Sequence, residues 1–208
     1  MSNLKQFYVP ISMLPKEKLK RIGYSWEGRP DREKIFSCFP SIPMIKNNLS
    51  AEDNCDIIAI KTNDAAGSTE YNFTVFEDEL KQLSQEKGME IKVSKIINIE
   101  HNETKEKHTK FFYDLCKSYV EGSEVHFDIT YGTKVSPIAQ FATLVYAEKN
   151  RNCTIAEVIY GKYTHIDGDE TGTIYDITSL YELNMLINNC SMLPGVDIDK
   201  ILKMYGED

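Results

Sequence analysis

Val125-His126-Phe127-Asp128-Ile129-Thr130-Tyr131-Gly132-Thr133-Lys134-Val135-Ser136-Pro137 is the stretch that decides the fold. Its first six residues alternate, with Val125, Phe127 and Ile129 on one face and His126, Asp128 and Thr130 on the other. A period of two belongs to a β-strand. The strand ends at Asp128-Ile129-Thr130, and Tyr131-Gly132-Thr133-Lys134 form a turn. Ser136-Pro137 then open a helix, with Ser as N-cap and Pro in the first turn. That helix, Pro137–Lys149, carries Ile138, Phe141, Ala142, Leu144 and Val145, a stripe wide enough to face a sheet.

The same alternation of strand and helix recurs on both sides. Cys55–Lys61 is a continuous apolar run ending in Thr62-Asn63-Asp64, as in a buried parallel strand. Phe73–Lys87 reads as a helix with Phe73, Phe76, Leu80 and Leu83 on one stripe and Gly88 as its stop. Ile91–Ile99 is strand-like. Thr104–Val120 is helical, with Phe111, Phe112, Leu115 and Tyr119 on its apolar face. Cys153–Tyr160 is a strand that stops at Gly161. A hairpin follows, Lys162–Ile166 with Thr173–Ile177, and Leu180–Asn189 is the final helix. Near the N-terminus, Phe7–Met13 is strand-like, and Pro10 argues for an edge position or a bulge. Leu14–Ser50, with Pro15, Pro30, Pro40, Pro43 and the single tryptophan Trp26, is expected to be a long loop with one short helix. Together these segments predict a Rossmann-like, doubly wound, mainly parallel α/β sheet with a C-terminal β-hairpin and helix. Such sheets bind ligands beyond the carboxyl ends of their strands.

A length of 208 residues is expected to form a single domain, 1–208. Hydrophobic residues make up 41%, enough for a sizeable core, and no apolar run approaches the ~18–20 residues that span a bilayer. The N-terminus lacks the apolar stretch and cleavage site of a signal peptide. Cys38, Cys55, Cys116, Cys153 and Cys190 are odd in number and irregularly spaced, and they read as reduced thiols. A soluble, cytoplasmic protein with no membrane partner is expected. The net charge of −8 argues against a DNA duplex as partner, because a polyanion would be repelled on average. A phosphate ligand must be small and held by local groups.

The turn offers such groups. Gly132 lets the backbone approach a ligand closely, the amides at the helix start point toward an anion, and Lys134 supplies a mobile positive charge. Thr130, Thr133 and Ser136 add hydroxyls. The same residues also suit an ordinary strand-to-helix turn, with Asp128 capping backbone amides and Lys134 in solvent. Neither a GxxxxGK[ST] loop nor a GxGxxG fingerprint is present.

Asp128-x-Thr130-x-Gly132, a basic residue at Lys134 and Pro137 three positions later make the chain resemble the CRISPR-associated Rossmann-fold proteins whose strand ends in Asp-x-Thr-His-Gly. Tyr131 stands where that motif has His, and Thr133 where it has an aromatic. The resemblance continues through Ile159-Tyr160-Gly161 and Ile174-Tyr175-Asp176-Ile177-Thr178, so it spans roughly residues 90–190. It implies a homodimer whose paired strand ends bind cyclic oligoadenylate, the second messenger of type III CRISPR immunity. Many members carry a HEPN ribonuclease domain with an Arg-x4–6-His motif, and no histidine here follows an arginine at that spacing. A domain of this kind alone implies either a ring nuclease or a sensor acting through a partner.

Ring cleavage needs no cofactor and no metal. The ribose 2′-hydroxyl attacks the adjacent phosphorus and leaves a 2′,3′-cyclic phosphate, so the protein has only to align the reacting atoms and stabilise charge. Lys134 is the first candidate for the phosphate cation, with Thr130 and Tyr131 as its catalytic neighbours. Ser12, Asp128, Gly132, Thr133 and Ser136 are the candidate ligand-binding residues. A generic Rossmann-like mononucleotide-binding protein is the reading that dispenses with the family.

Other groupings point elsewhere. Asp167-Gly168-Asp169-Glu170-Thr171-Gly172 imitates the start of an EF-hand loop but has Thr178 at the bidentate position, and reads as a polar hairpin tip. His126 is either a general base or a packed histidine. Tyr24, Trp26 and Arg29 either stack on a bound base or anchor their own segment.

Overall fold

The computed structural model describes residues 4–100, 104–166 and 169–190, with Asp197, Asp199 and Lys203. The chain begins with β1 (Leu4–Pro10), β2 (Ile22–Trp26), β3 (Ile35–Ser37) and α1 (Ser41–Asn48). It continues with β4 (Asn54–Asn63), α2 (Ser68–Lys87), β5 (Val93–Glu100) and α3 (Lys105–Ser118). The last elements are β6 (Glu124–Asp128), α4 (Ser136–Arg151), β7 (Thr154–Ile166), β8 (Asp169–Asp176) and α5 (Thr178–Cys190).

The strands form one sheet in the order β3-β2-β8-β7-β6-β1-β4-β5. β1 is parallel to β4 and β6, and the pairs β4–β5, β6–β7 and β2–β8 are parallel too. Only the hairpins β7–β8 and β2–β3 are antiparallel among the described pairings. From β5 to β8 the order is that of a Rossmann sheet with its last strand reversed. The chain therefore forms the expected Rossmann-like, doubly wound sheet with a C-terminal hairpin and helix.

Helices cover both faces, which is why central strands read as continuous apolar runs. On one face Phe7, Val9, Ile57 and Ala59 meet Ile45 of α1 and Phe73, Phe76 and Leu80 of α2. On the other, Tyr8, Ile58, Phe127 and Val158 meet Leu115 of α3, Leu144 of α4 and Tyr181 of α5. β1 feeds a crossover toward β4 on one side, and β6 feeds α4 and β7 on the other. The switch in winding therefore lies between the carboxyl ends of β1 and β6. All five cysteines are free thiols. Among the described residues no helix is long and apolar enough to cross a membrane.

Four sequence expectations change. Leu14–Ser50 is not a long loop: it crosses to the far edge of the sheet, adds β2 and β3 there, and returns through α1. Its strands have five and three residues and only the eight-residue α1 follows them, so no long helix marks a strand–helix unit there. Pro10 is neither on an edge strand nor at a bulge, for it closes the central strand β1. Ile11 N–H donates to Ile60 O of β4, so the nitrogen of Pro10 points to the β6 side, where the ladder has already ended at Tyr8 and Phe127. β7 does not stop at Gly161 but runs on to Ile166, paired with β8 throughout. Helix α4 is capped by Val135, not Ser136. The tip residues Asp167 and Gly168 lie outside the described residues.

Candidate functional site

The turn after β6 begins with Asp128, which has no exposed surface. Its Oδ1 accepts from Thr130 N–H at 2.8 Å, and Oδ2 has no partner. Burial away from any cation pushes its carboxyl up to about 7, against the weaker pull of the Thr130 hydrogen bonds. Thr130 Oγ1 in turn accepts from Gly161 N–H of β7 at 2.8 Å, so the end of β6 is tied to the middle of β7 through one hydroxyl. Gly161 lies close under the loop before α1, and a Cβ there would fall 2.7 Å from Pro40.

Tyr131 packs edge-on against Phe39 at 6.4 Å, and its hydroxyl is hydrogen-bonded to that of Tyr24 from β2. Burial pushes the Tyr131 phenol up to about 12, so it stays protonated at neutral pH. Gly132 has φ +117°, a conformation L side chains rarely adopt, and a Cβ on it would lie 3.1 Å from Ser136 Cβ and Oγ. Lys134 is exposed. The helix start offers fewer free amides than its sequence suggests. Ser136 N–H is taken by Thr133 O at 3.1 Å, Ala139 N–H by Val135 O, and Pro137 has none.

A cleft of about 400 Å³ opens beside this turn, under the loop from β1 to β2. Its floor is Thr130, Tyr131 and Gly161. Its walls are Ile22, Tyr24 and Cys38 on one side and Tyr163 on the other, and Leu14, Lys18, Leu19 and Lys20 roof it. Burial and the nearby Glu79 carboxylate push the Cys38 thiol up to about 12, so it stays protonated in this wall.

Of the residues singled out from sequence, Thr130 and Tyr131 line the cleft, and Asp128 and Gly132 support the turn from beneath. Thr133 and Ser136 instead line a separate void of about 10 Å³ against Ile99, His108 and Phe111. Lys134 lies outside both. Ser12 is fully buried: its Oγ accepts from Leu14 N–H at 3.1 Å and its carbonyl from Asn72 Nδ2 at 2.7 Å. Sequence reasoning missed Lys18, Leu19, Lys20, Ile22 and Tyr163. No local pattern marks them, because only the excursion of the chain to the far sheet edge brings them over β6 and β7.

His126, Trp26 and Arg29 resolve toward packing or surface pairing, whereas Tyr24 of the same group lines the cleft. His126 is buried, stacks on Phe7 with ring centroids 4.6 Å apart, and bonds Glu124 Oε1 at 2.7 Å through Nε2. Trp26 is buried beneath the Arg32 guanidinium, 4.0 Å from its ring centroid, while Arg29 pairs with Asp31 on the surface. Among the described residues no three His, Cys, Asp or Glu side chains converge as a metal site.

The sequence matches no family model and no curated protein. Among solved structures it is similar to phosphofructokinase-2 from Escherichia coli in complex with fructose-6-phosphate, at 7% identity and a TM-score of 0.37. That match covers 77% of this chain and 55% of the kinase, so the chain spans little more than half the kinase's length. A likeness at that level says nothing about activity.

Proposed function

We propose that this chain binds a cyclic oligoadenylate at the carboxyl end of β6, beside Gly161 of β7, and opens the ring without a metal. One observation carries the reading: the Asp128–Pro137 turn stands at the switch point of a Rossmann-order sheet, with Thr130 and Tyr131 lining a cleft of about 400 Å³. The cleft combines aromatic and aliphatic walls with lysines, the chemistry that holds a base and a phosphate together. Its size suits one nucleotide rather than a whole ring. The ring would therefore span two clefts in a homodimer, with Ile138 and Leu180, 69% and 55% exposed at the first turns of α4 and α5, as apolar surface for the second copy. The setting is cytoplasmic antiviral defence of the CRISPR type.

In cleavage the substrate supplies its own nucleophile. The ribose 2′-oxygen attacks phosphorus, the 5′-oxygen leaves, and a 2′,3′-cyclic phosphate remains. Thr130 Oγ1 accepts from Gly161 N–H and its hydroxyl is hydrogen-bonded to the Asp128 carboxyl, so it fixes the turn against which a ribose or phosphate would rest. Tyr131, held protonated, is a neutral donor and not a base. Lys134, outside the cleft, contributes charge where the ring extends past the cleft toward it. The exposure of Lys134, outside the cleft, favours a second reading: a sensor that holds the ring and signals through another chain.

Incubation with cyclic tetra- and hexa-adenylate in EDTA, read by chromatography, tests both. A linear product ending in 2′,3′-cyclic phosphate is expected, with Lys134→Ala slowing its formation about tenfold or more. A ring that binds and stays intact supports the sensor. A protein that neither binds nor cuts either ring ends the proposal.

A further inference from the structure

The roof of the cleft is cationic, and one of its cations is already engaged. Lys18 and Lys20 both line the cleft from the β1–β2 loop. Lys18 is exposed and has no ion-pair partner among the described residues. Lys20 is bound through its ammonium group to the carboxylate of Glu170, near the start of β8. Glu170 also accepts from the hydroxyl of Tyr163, and His165 Nδ1 lies 3.8 Å from its Oε1. Lys20 and Tyr163 thus both line the cleft and both spend a donor on the same carboxylate.

A carboxylate and a phosphate ask for the same partners: cationic and hydroxyl donors around negatively charged oxygen. The pair is at the rim, with Lys20 49% and Glu170 24% exposed, where water screens it and makes it weak enough to exchange. We propose that Glu170 is a resident counter-ion, holding by competition the donors that a nucleotide phosphate would take, and that Lys18 and Lys20 grip that phosphate. The identity of the nucleotide, though not the role of these three side chains, rests on the cyclic oligoadenylate reading. The arrangement gives the cleft a threshold. An uncharged ligand with a flat apolar body gains only the aromatic walls, whereas a phosphate-bearing one recovers the lysine and tyrosine donors as Glu170 swings to solvent.

Calorimetric titration at low salt tests this with two probes, cyclic tetra-adenylate and adenosine monophosphate, on wild type, Lys18→Ala, Lys20→Ala, Glu170→Gln and the Lys20→Ala/Glu170→Gln double variant. All three positions are on the rim, and circular dichroism confirms that each variant is folded. Glu170→Gln is expected to tighten binding about threefold, the worth of one exposed ion pair. Lys18→Ala and Lys20→Ala are each expected to weaken it about tenfold. The double variant is expected to bind more tightly than Lys20→Ala alone, because it lacks the unpaired carboxylate. If cyclic tetra-adenylate binds and no variant alters its affinity, the assignment fails while the cyclic oligoadenylate reading stands. If only the monophosphate binds, with the expected pattern, that reading fails and the assignment stands. Binding of neither probe overturns both.

Discussion

Asp128 has no exposed surface, leaves Oδ2 without a partner and is raised to about 7 by burial. In the unfolded chain its carboxyl titrates near 4. Between those values the folded state holds the extra proton, so stability falls as pH rises through that window, by on the order of 4 kcal/mol at most, and then levels off. Asp128→Asn keeps an acceptor for Thr130 N–H but cannot ionise. Urea denaturation at pH 5 and pH 8 is expected to show the variant gaining on wild type at the higher pH. A difference that is the same at both would mean that the native carboxylate is stabilised after all. Gly132, four residues on, makes a steric demand instead. Gly132→Ala places a Cβ at φ +117° and 3.1 Å from Ser136, and thermal denaturation is expected to register a loss of about 1–3 kcal/mol.

At the scale of elements, the β2–β3 excursion is fastened to β7 by a buried charge. Arg32, between those two strands, bonds Glu157 Oε1 of β7 at 2.7 Å while lying over Trp26, and Asn48 of α1 bonds Glu157 Oε2 at 2.7 Å. Glu157 is 3% exposed, and burial raises its carboxyl although Arg32 and His126 oppose the shift. Arg32→Ala leaves that carboxylate uncompensated and is expected to destabilise the fold by about 3–5 kcal/mol. Adding Glu157→Gln is expected to restore a large part of that loss in chemical denaturation. Should the double variant be no more stable than the single one, packing on Trp26 and not charge accounts for the arginine. This region was also the least legible in sequence. The strands at Val125, Cys55 and Cys153 and the helices from Phe73, Thr104 and Pro137 announce themselves by period and by caps, because these strands alternate with long, capped amphipathic helices. Ile22–Trp26 and Ile35–Ser37 are strands only because β8 offers an edge to pair with, and a partner distant in sequence leaves no local trace.

At the scale of the molecule, the two cores and the strand order were legible in kind but not in connection. Apolar periodicity announces a doubly wound sheet, yet nothing in it tells that the chain, on leaving β1, travels to the opposite margin before returning as β4. The candidate site was legible by the same half. Thr130 and Tyr131 were found from their turn, while Lys18, Lys20 and Tyr163 needed the whole topology. The free thiols allow one expectation at this scale. With no disulfide in the native state, a reducing agent is expected to leave the melting temperature unchanged, and a marked downward shift would reveal a cross-link.

The stretch from Ile11 to Arg21 is at once the ceiling of the cleft and the lead into the outermost strands. Whatever settles beneath that ceiling leans on the same backbone that delivers β2 to β8. Occupancy should therefore be felt as quieter amide exchange at Ser25 and Trp26, which do not line the cleft, so that the rim of the sheet reports on a guest at its middle.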